Sequence, residues 1–313
     1  MAAWLTYATI VPMRPDGQKF VQVRSGTSVR QIARDLESAG VIRNRYAFLG
    51  LHYLAGRRSL KAGEYLFERS ATAREVYDRI ARGDVYYQTV VVPEGFNIFD
   101  IAQALEAAKL CTRDEFLNVA RADISLVADI DPLAKSLEGY LFPDTYNFGR
   151  QQSAKEMAAE MVRRFRKEAQ SLGLAGNPQL HRIVTLASII EKETSVEAER
   201  GVVASVFENR MTRGIGLATD PSVIYASLLI GKFDGTIRQS DLALDSPYNT
   251  YRHAGLPPGP IANPGRSSLV AAMHPEKTDY LYFVANNRGG HRFSRTLDEH
   301  NRNVAAYRSG RPN

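Results

Sequence analysis

Two carboxylates, Glu191 and Glu193, close an otherwise apolar run, Leu186-Ala-Ser-Ile-Ile-Glu-Lys-Glu-Thr-Ser195. Charged groups on an apolar helix are costly unless they are paired or used. A glutamate beside a hydroxyl residue at a helix end is one way to present a general acid to a sugar chain. The two residues are two positions apart, about 200° around a helix axis, and so face different ways. Glu193 continues the stripe Ile183, Leu186, Ile190 and is followed by Thr194-Ser195, which makes it the candidate catalytic acid with Glu191 in reserve. Further along, Asp220 precedes Pro221 at an expected helix start, where an N-cap is the plain reading and a cleft carboxylate the sharper one. Ser246-Pro-Tyr-Asn-Thr-Tyr251 then leads to Gly255–Gly265, with four prolines in eleven residues. Such a loop is stiff. It is expected to expose Tyr248, Asn249 and Tyr251 to sugar hydroxyls and amides. Glu138 opens an aromatic stretch, punctuated by Gly and Pro, that ends at Tyr146.

Other chemistries lack their residues. The six histidines (52, 181, 253, 274, 291 and 300) form no metal-binding spacing, and one cysteine, Cys111, allows neither an internal disulfide nor a cysteine metal cluster. Cys111 follows an alanine-rich helix and reads as a small buried hydrophobe. There is no Gly-x-Ser-x-Gly elbow and no phosphate loop, so no cofactor is expected. The net charge is +6 and the pI about 9.3, with basic and acidic residues interleaved. No nucleic-acid stripe is evident, whereas a polyanionic wall or acidic membrane surface would suit that balance.

The elements that must position these residues have their own signatures. A chain of 313 residues is long enough for two domains. Val23–Glu37 and Val92–Glu106 repeat at an offset of 69, with Gly26 on Gly95, Ser28 on Asn97 and Leu36-Glu37 on Leu105-Glu106. Each copy predicts a strand, a glycine turn, an N-cap and an amphipathic helix. Helices are also expected over about 71–82, 153–172 and 179–193, and strands at Gly63–Phe67, Tyr86–Val92 and Tyr280–Ala285, the last of them buried. The fold class is α+β: a small unit over 18–86, then a larger mixed domain over 87–309. The small unit resembles a LysM-like module, the fold used to grip chitin and peptidoglycan, though a generic α+β unit fits the same pattern. Residues 1–17 are expected to be the end of a membrane anchor or unstructured. Ala2–Val11 is apolar but far short of the roughly 20 residues of a span, and Trp4 and Tyr7 would suit an interface.

Taken together, Glu138-Gly-Tyr-Leu-Phe-Pro-Asp-Thr-Tyr146, Ala187–Thr194, Thr219-Asp-Pro-Ser-Val-Ile-Tyr225, Ser246–Tyr251 and Gly255-Leu-Pro-Pro-Gly259 resemble the endolytic murein transglycosylase (YceG-like) family. The resemblance runs from about Val21 to Tyr307. It implies an enzyme of the bacterial inner membrane, with one anchor helix and its catalytic domain on the outer side. Such an enzyme cuts nascent glycan strands of peptidoglycan between N-acetylmuramic acid and N-acetylglucosamine, leaves 1,6-anhydro ends and works beside peptidoglycan synthases. On this reading Glu193 is the acid, Tyr248, Asn249 and Tyr251 orient the sugar, and Glu138 or Asp220 shapes the cleft. A wall-binding scaffold without catalysis and a two-carboxylate hydrolase are the alternatives.

Overall fold

A computed structural model describes residues 7–310 of the chain. It divides into two compact units, one made of the chain up to Thr89 with Asn147–Gln151, the other of Val90–Tyr146 with the chain from Gln152 onward. Trp4 lies outside the described residues. No helix among the described residues is long and apolar enough to cross a membrane.

In the first unit, β1 (Lys19–Val23) pairs antiparallel with β2 (Gly63–Phe67), Val21 opposite Tyr65. Alternation puts Val21, Val23, Tyr65 and Phe67 on the buried face. Helices α1 (Val29–Ser38), α2 (Arg45–Leu54) and α3 (Ala73–Arg82) supply Ile32, Leu36, Phe48, Tyr77 and Ile80 to the same core. A Thr72–Glu75 capping box starts α3. Gly63 is required where it stands: its φ is +148°, and a Cβ there would meet Val85 Cγ1 at 2.1 Å.

The second unit opens with the other copy of the repeat. Strand β3 (Gln88–Val92), whose first two residues belong to the first unit, leads to α4 (Ile98–Ala107), whose bounds lie 69 residues beyond those of α1. Gly26 and Gly95 share φ +78°, and Ser28 and Asn97 each cap their helix by side-chain hydrogen bonds. After α5 (Arg113–Ala122), β4 (Asp144–Phe148), whose last two residues belong to the first unit, pairs with β3. Helices α6 (Ala154–Ser171), α7 (Leu180–Glu193), α8 (Arg200–Thr212), α9 (Asp220–Leu229) and α10 (Arg266–Met273) follow. A hairpin of β5 (Tyr282–Ala285) and β6 (His291–Ser294) and helix α11 (Leu297–Arg308) complete the unit. Helix α7 is the axis: every residue from Ile183 to Ile190 is buried, and α8 and α10 pack against it.

Several expectations are corrected. The proline-rich stretch is not an exposed sugar-holding loop, because Gly259–Gly265 is buried. Its polar groups are satisfied internally: Asn263 Oδ1 accepts from the N–H groups of Gly139 and Leu141, both at 2.9 Å, and Ile261 N donates to Ser188 Oγ at 3.0 Å. Asp220 is not the cap of α9. Thr219 holds that position without a side-chain bond, and Asp220 is the first helical residue. The strand expected over Tyr280–Ala285 is shorter and half-buried throughout, with Tyr282 against His300 on one face and Phe283 against Phe207 on the other. Cys111 is half-buried, and burial pushes its thiol up to about 11.

Candidate active site

Glu193 is the last residue of α7, where Thr194 turns to extended backbone (φ −142°) and ends the helix. It lines a cleft of about 340 Å³ with Arg210 from α8, Asp220 from α9, Tyr251, Tyr282 from β5 and His300 from α11. Its Oε1 is shut off from solvent and has no hydrogen-bond partner among the described residues. Burial first, and then the charge of Asp220, push its carboxyl up to about 7, while Arg210 pulls the other way. The negative end of the α7 dipole acts in the same sense as Asp220. Glu193 therefore keeps a proton near neutrality, which a general acid requires.

The other walls are held from behind. Tyr251 donates its hydroxyl to Asp220 Oδ1 at 2.6 Å. The turn before α9 is clasped to Thr250: Ala218 N donates to its carbonyl at 3.1 Å and Thr219 N to its Oγ1 at 3.0 Å. Ala218 sits at φ +52°, a left-handed conformation that L side chains resist. Strain of that kind collects at functional sites. Arg210 donates Nη1 to Leu217 O at 2.8 Å and lies over the Tyr282 ring, 5.4 Å from its centroid. On the same ring His300 stacks at 5.2 Å. Arg210 Nε and His300 Nδ1 are, like Glu193 Oε1, buried without partners. Burial lowers the pKa of both Arg210 and His300. Three polar residues with an unsatisfied buried atom each thus meet in one cleft, where a polar ligand could complete them.

The remaining sequence candidates lie elsewhere. Glu191 is a strut: Arg200 Nη2 donates to it at 2.9 Å and Gly265 N at 2.9 Å. Glu138 does not face a substrate, being 1% exposed. It accepts from Ile98 N at 3.0 Å and Asn263 Nδ2 at 2.9 Å, and burial pushes its carboxyl up to about 8. Asn249 is fully buried and donates to the carbonyls of Leu242 and Leu244, so it shapes the loop rather than touching a ligand. Tyr248 packs its ring against Tyr225 and is not part of the cleft wall. Asp131, His181 and Tyr140 make another clamp, with His181 Nε2 against Pro258 O at 3.1 Å. No group of residues among those described could hold a metal ion.

Arg210, Tyr282 and His300 are the residues that sequence reasoning missed. A signal for Arg210 was present: it continues the buried stripe Val203, Phe207, as Glu193 continues its own.

The model of the YceG-like family matches residues 21–306. The chain belongs to this family. Among YceG-like relatives, an endolytic murein transglycosylase of Bacillus subtilis (strain 168) is 35% identical over 321 residues, covering 96% of this chain and 88% of that one. One from Streptococcus pneumoniae serotype 2 is 28% identical over 332 residues, and the match covers 96% of this chain but 60% of the relative. A crystal structure of a YceG-like protein from Listeria monocytogenes superposes with a TM-score of 0.59 at 35% identity, over 91% of this chain and 98% of that one.

Proposed function

We propose that this chain is a lytic transglycosylase that cuts the glycan strands of peptidoglycan, with Glu193 as its acid and then its base. The carrying observation is the carboxyl of Glu193 at the wall of a polar cleft, with one oxygen buried and unpartnered and its pKa raised by that burial. The names of the relatives support the same substrate. In the first step Glu193 gives its proton to the glycosidic oxygen, and the bond to the anomeric carbon breaks. The carboxylate so formed takes the proton of the C6 hydroxyl of that same sugar, and the C6 oxygen closes onto the anomeric carbon. The product is a 1,6-anhydro-N-acetylmuramic acid end; no water is consumed and one carboxyl suffices. An intramolecular nucleophile also spares the entropy of capturing a second molecule. Arg210 faces the carboxylate while it is charged, and the exposed Tyr251 ring offers a flat surface to a pyranose face.

A two-carboxylate hydrolase is the second reading, because Asp220 shares the cleft. Digestion of purified murein sacculi separates the two, since anhydro ends are one water lighter than hydrolysed ones. Glu193→Gln is expected to lower the rate by about 10²–10⁴. Full activity in that variant sinks the assignment, and an undigested sacculus with the native chain leaves a scaffold. The same reading puts the cleft on the wall side of the bacterial inner membrane, held there by an N-terminal anchor and close to peptidoglycan synthases. It also gives the first unit the task of gripping glycan.

A further inference from the structure

Between Glu37 and Glu64 the chain has no acidic residue, yet it carries Arg43, Arg45, Arg57, Arg58 and Lys61. Helix α2 lies inside this stretch. It buries Ala47 and Phe48 and leaves Tyr46, Tyr53 and Leu54 outside, at 63%, 66% and 83% exposure. Tyr46 and Tyr53 are seven residues apart and so share a side of the helix. Residues 7–10 are helical and add Tyr7 and Ile10, exposed by 49% and 65%. Arg43 joins the two segments: it donates to Pro12 O at 3.0 Å and lies over the Tyr7 ring at 5.4 Å. Arg45 covers Tyr46 and Arg57 covers Tyr53 in the same manner, at 5.5 and 5.1 Å. Arg57 reaches Tyr53 through a left-handed backbone (φ +54°), held by its N–H on His52 O at 2.9 Å. Arg43, Arg57 and Lys61 have no ion-pair partner among the described residues, whereas Arg45 and Arg58 meet Glu37 and Asp78.

Exposed aromatic and aliphatic side chains with a cationic fringe are the composition of a surface that lies on lipid. A glycan would use the tyrosine faces but would gain nothing from Leu54 and Ile10, which present hydrocarbon and no hydrogen-bonding group. We propose that this face of the first unit rests on an anionic phospholipid surface. Tyr7, Ile10, Tyr46, Tyr53 and Leu54 enter the headgroup zone, and Arg43, Arg57 and Lys61 meet lipid phosphates. The contact needs neither the chemistry at Glu193 nor a spanning segment.

Flotation of the full 313-residue chain with vesicles tests it, using phosphatidylglycerol mixed in equal parts with phosphatidylcholine against phosphatidylcholine alone. The chain is expected to float with the anionic vesicles and to be released by salt. A basic residue at such a surface adds about fivefold to partitioning, so a chain carrying Arg43→Gln, Arg57→Gln and Lys61→Gln together should bind about a hundredfold more weakly. Tyr46→Ser with Tyr53→Ser and Leu54→Ser should lose at least about tenfold. All six side chains lie on the outside or at its margin, and an unchanged thermal melt would show that the variants fold. Binding as strong as the native chain's in both variants would assign any flotation to the N-terminal residues and overturn the proposal. Equal binding to neutral and anionic vesicles would overturn it too, as would loss of binding to murein sacculi with vesicle binding intact.

Discussion

Ionisation of Glu193 is opposed by burial and by the charge of Asp220, and helped by Arg210, so each neighbour has a signed effect that kinetics can read. In the free enzyme the acid must be protonated, so kcat/KM for glycan cleavage should fall as pH rises through about 7. Asp220→Asn removes the charge that raises the pKa, and the limb should move to lower pH. Arg210→Gln removes the charge that lowers it, and the limb should move to higher pH. Initial rates of glycan release from sacculi across the neutral range check both signs; two variants whose limbs stay in place would remove Glu193 from the titrating step. Glu191 predicts a different outcome. Its side chain is 5% exposed and that of Arg200 is 8%, so Glu191→Gln leaves a buried guanidinium short of its nearest carboxylate. The cost should be about 3 kcal/mol in urea unfolding, with the pH limb unmoved.

At the scale of elements, what positions Glu193 is the way α7 is fixed at its neighbours. Gly139 approaches both the helix and the proline-rich segment: a Cβ there would lie 2.5 Å from Pro260 Cγ and 2.8 Å from Val184 Cγ1, at φ +88°. Gly139→Ala should therefore cost about 3 kcal/mol or more, read by denaturant unfolding, because backbone strain and a clash with fixed atoms combine. A wild-type midpoint in that variant would mean the segment is looser than its burial implies. The repeat gives a gentler test. Asn97 accepts from the N–H groups of Phe99 and Asp100, so Asn97→Ala should remove about 1 kcal/mol.

Across the molecule, buried carboxyls give stability a pH dependence. Glu138 is raised in the folded state to about 8 from an ordinary value near 4.5. As pH rises between those values the unfolded chain releases this proton and the folded chain keeps it, so the unfolded state gains. Stability contributed by this group is fully present below about 4.5, declines up to about 8 and is flat beyond. Glu193 acts with the same sign over a narrower window, ending near 7. Thermal melts at pH 5 and pH 8 should show the higher Tm at pH 5. Glu138→Gln keeps an acceptor for Ile98 N and should flatten the difference; a variant as pH-dependent as the native chain would place the effect elsewhere.

Local signals carried the order of elements and both copies of the repeat, and they single out Glu193 as the candidate acid, because each is written in adjacent residues. A Ser28 or Asn97 cap with a glycine two residues before it starts a helix wherever it stands, and α4 follows α1 by the same 69 residues as the letters do. The stripe Ile183, Leu186, Ile190 fixed which of two glutamates would differ from its neighbour. Family membership too was legible, since five motifs in fixed order survive without any geometry. The tertiary structure alone decided what surrounds that carboxyl. Asn249 and Glu138 look polar and available in the sequence, yet each is buried with its hydrogen bonds made inside the protein. Arg210 and His300, 17 and 107 residues beyond Glu193, enter its cleft because α8 and α11 return there. Burial and electrostatic coupling depend on distance in space, and a sequence records only distance along the chain.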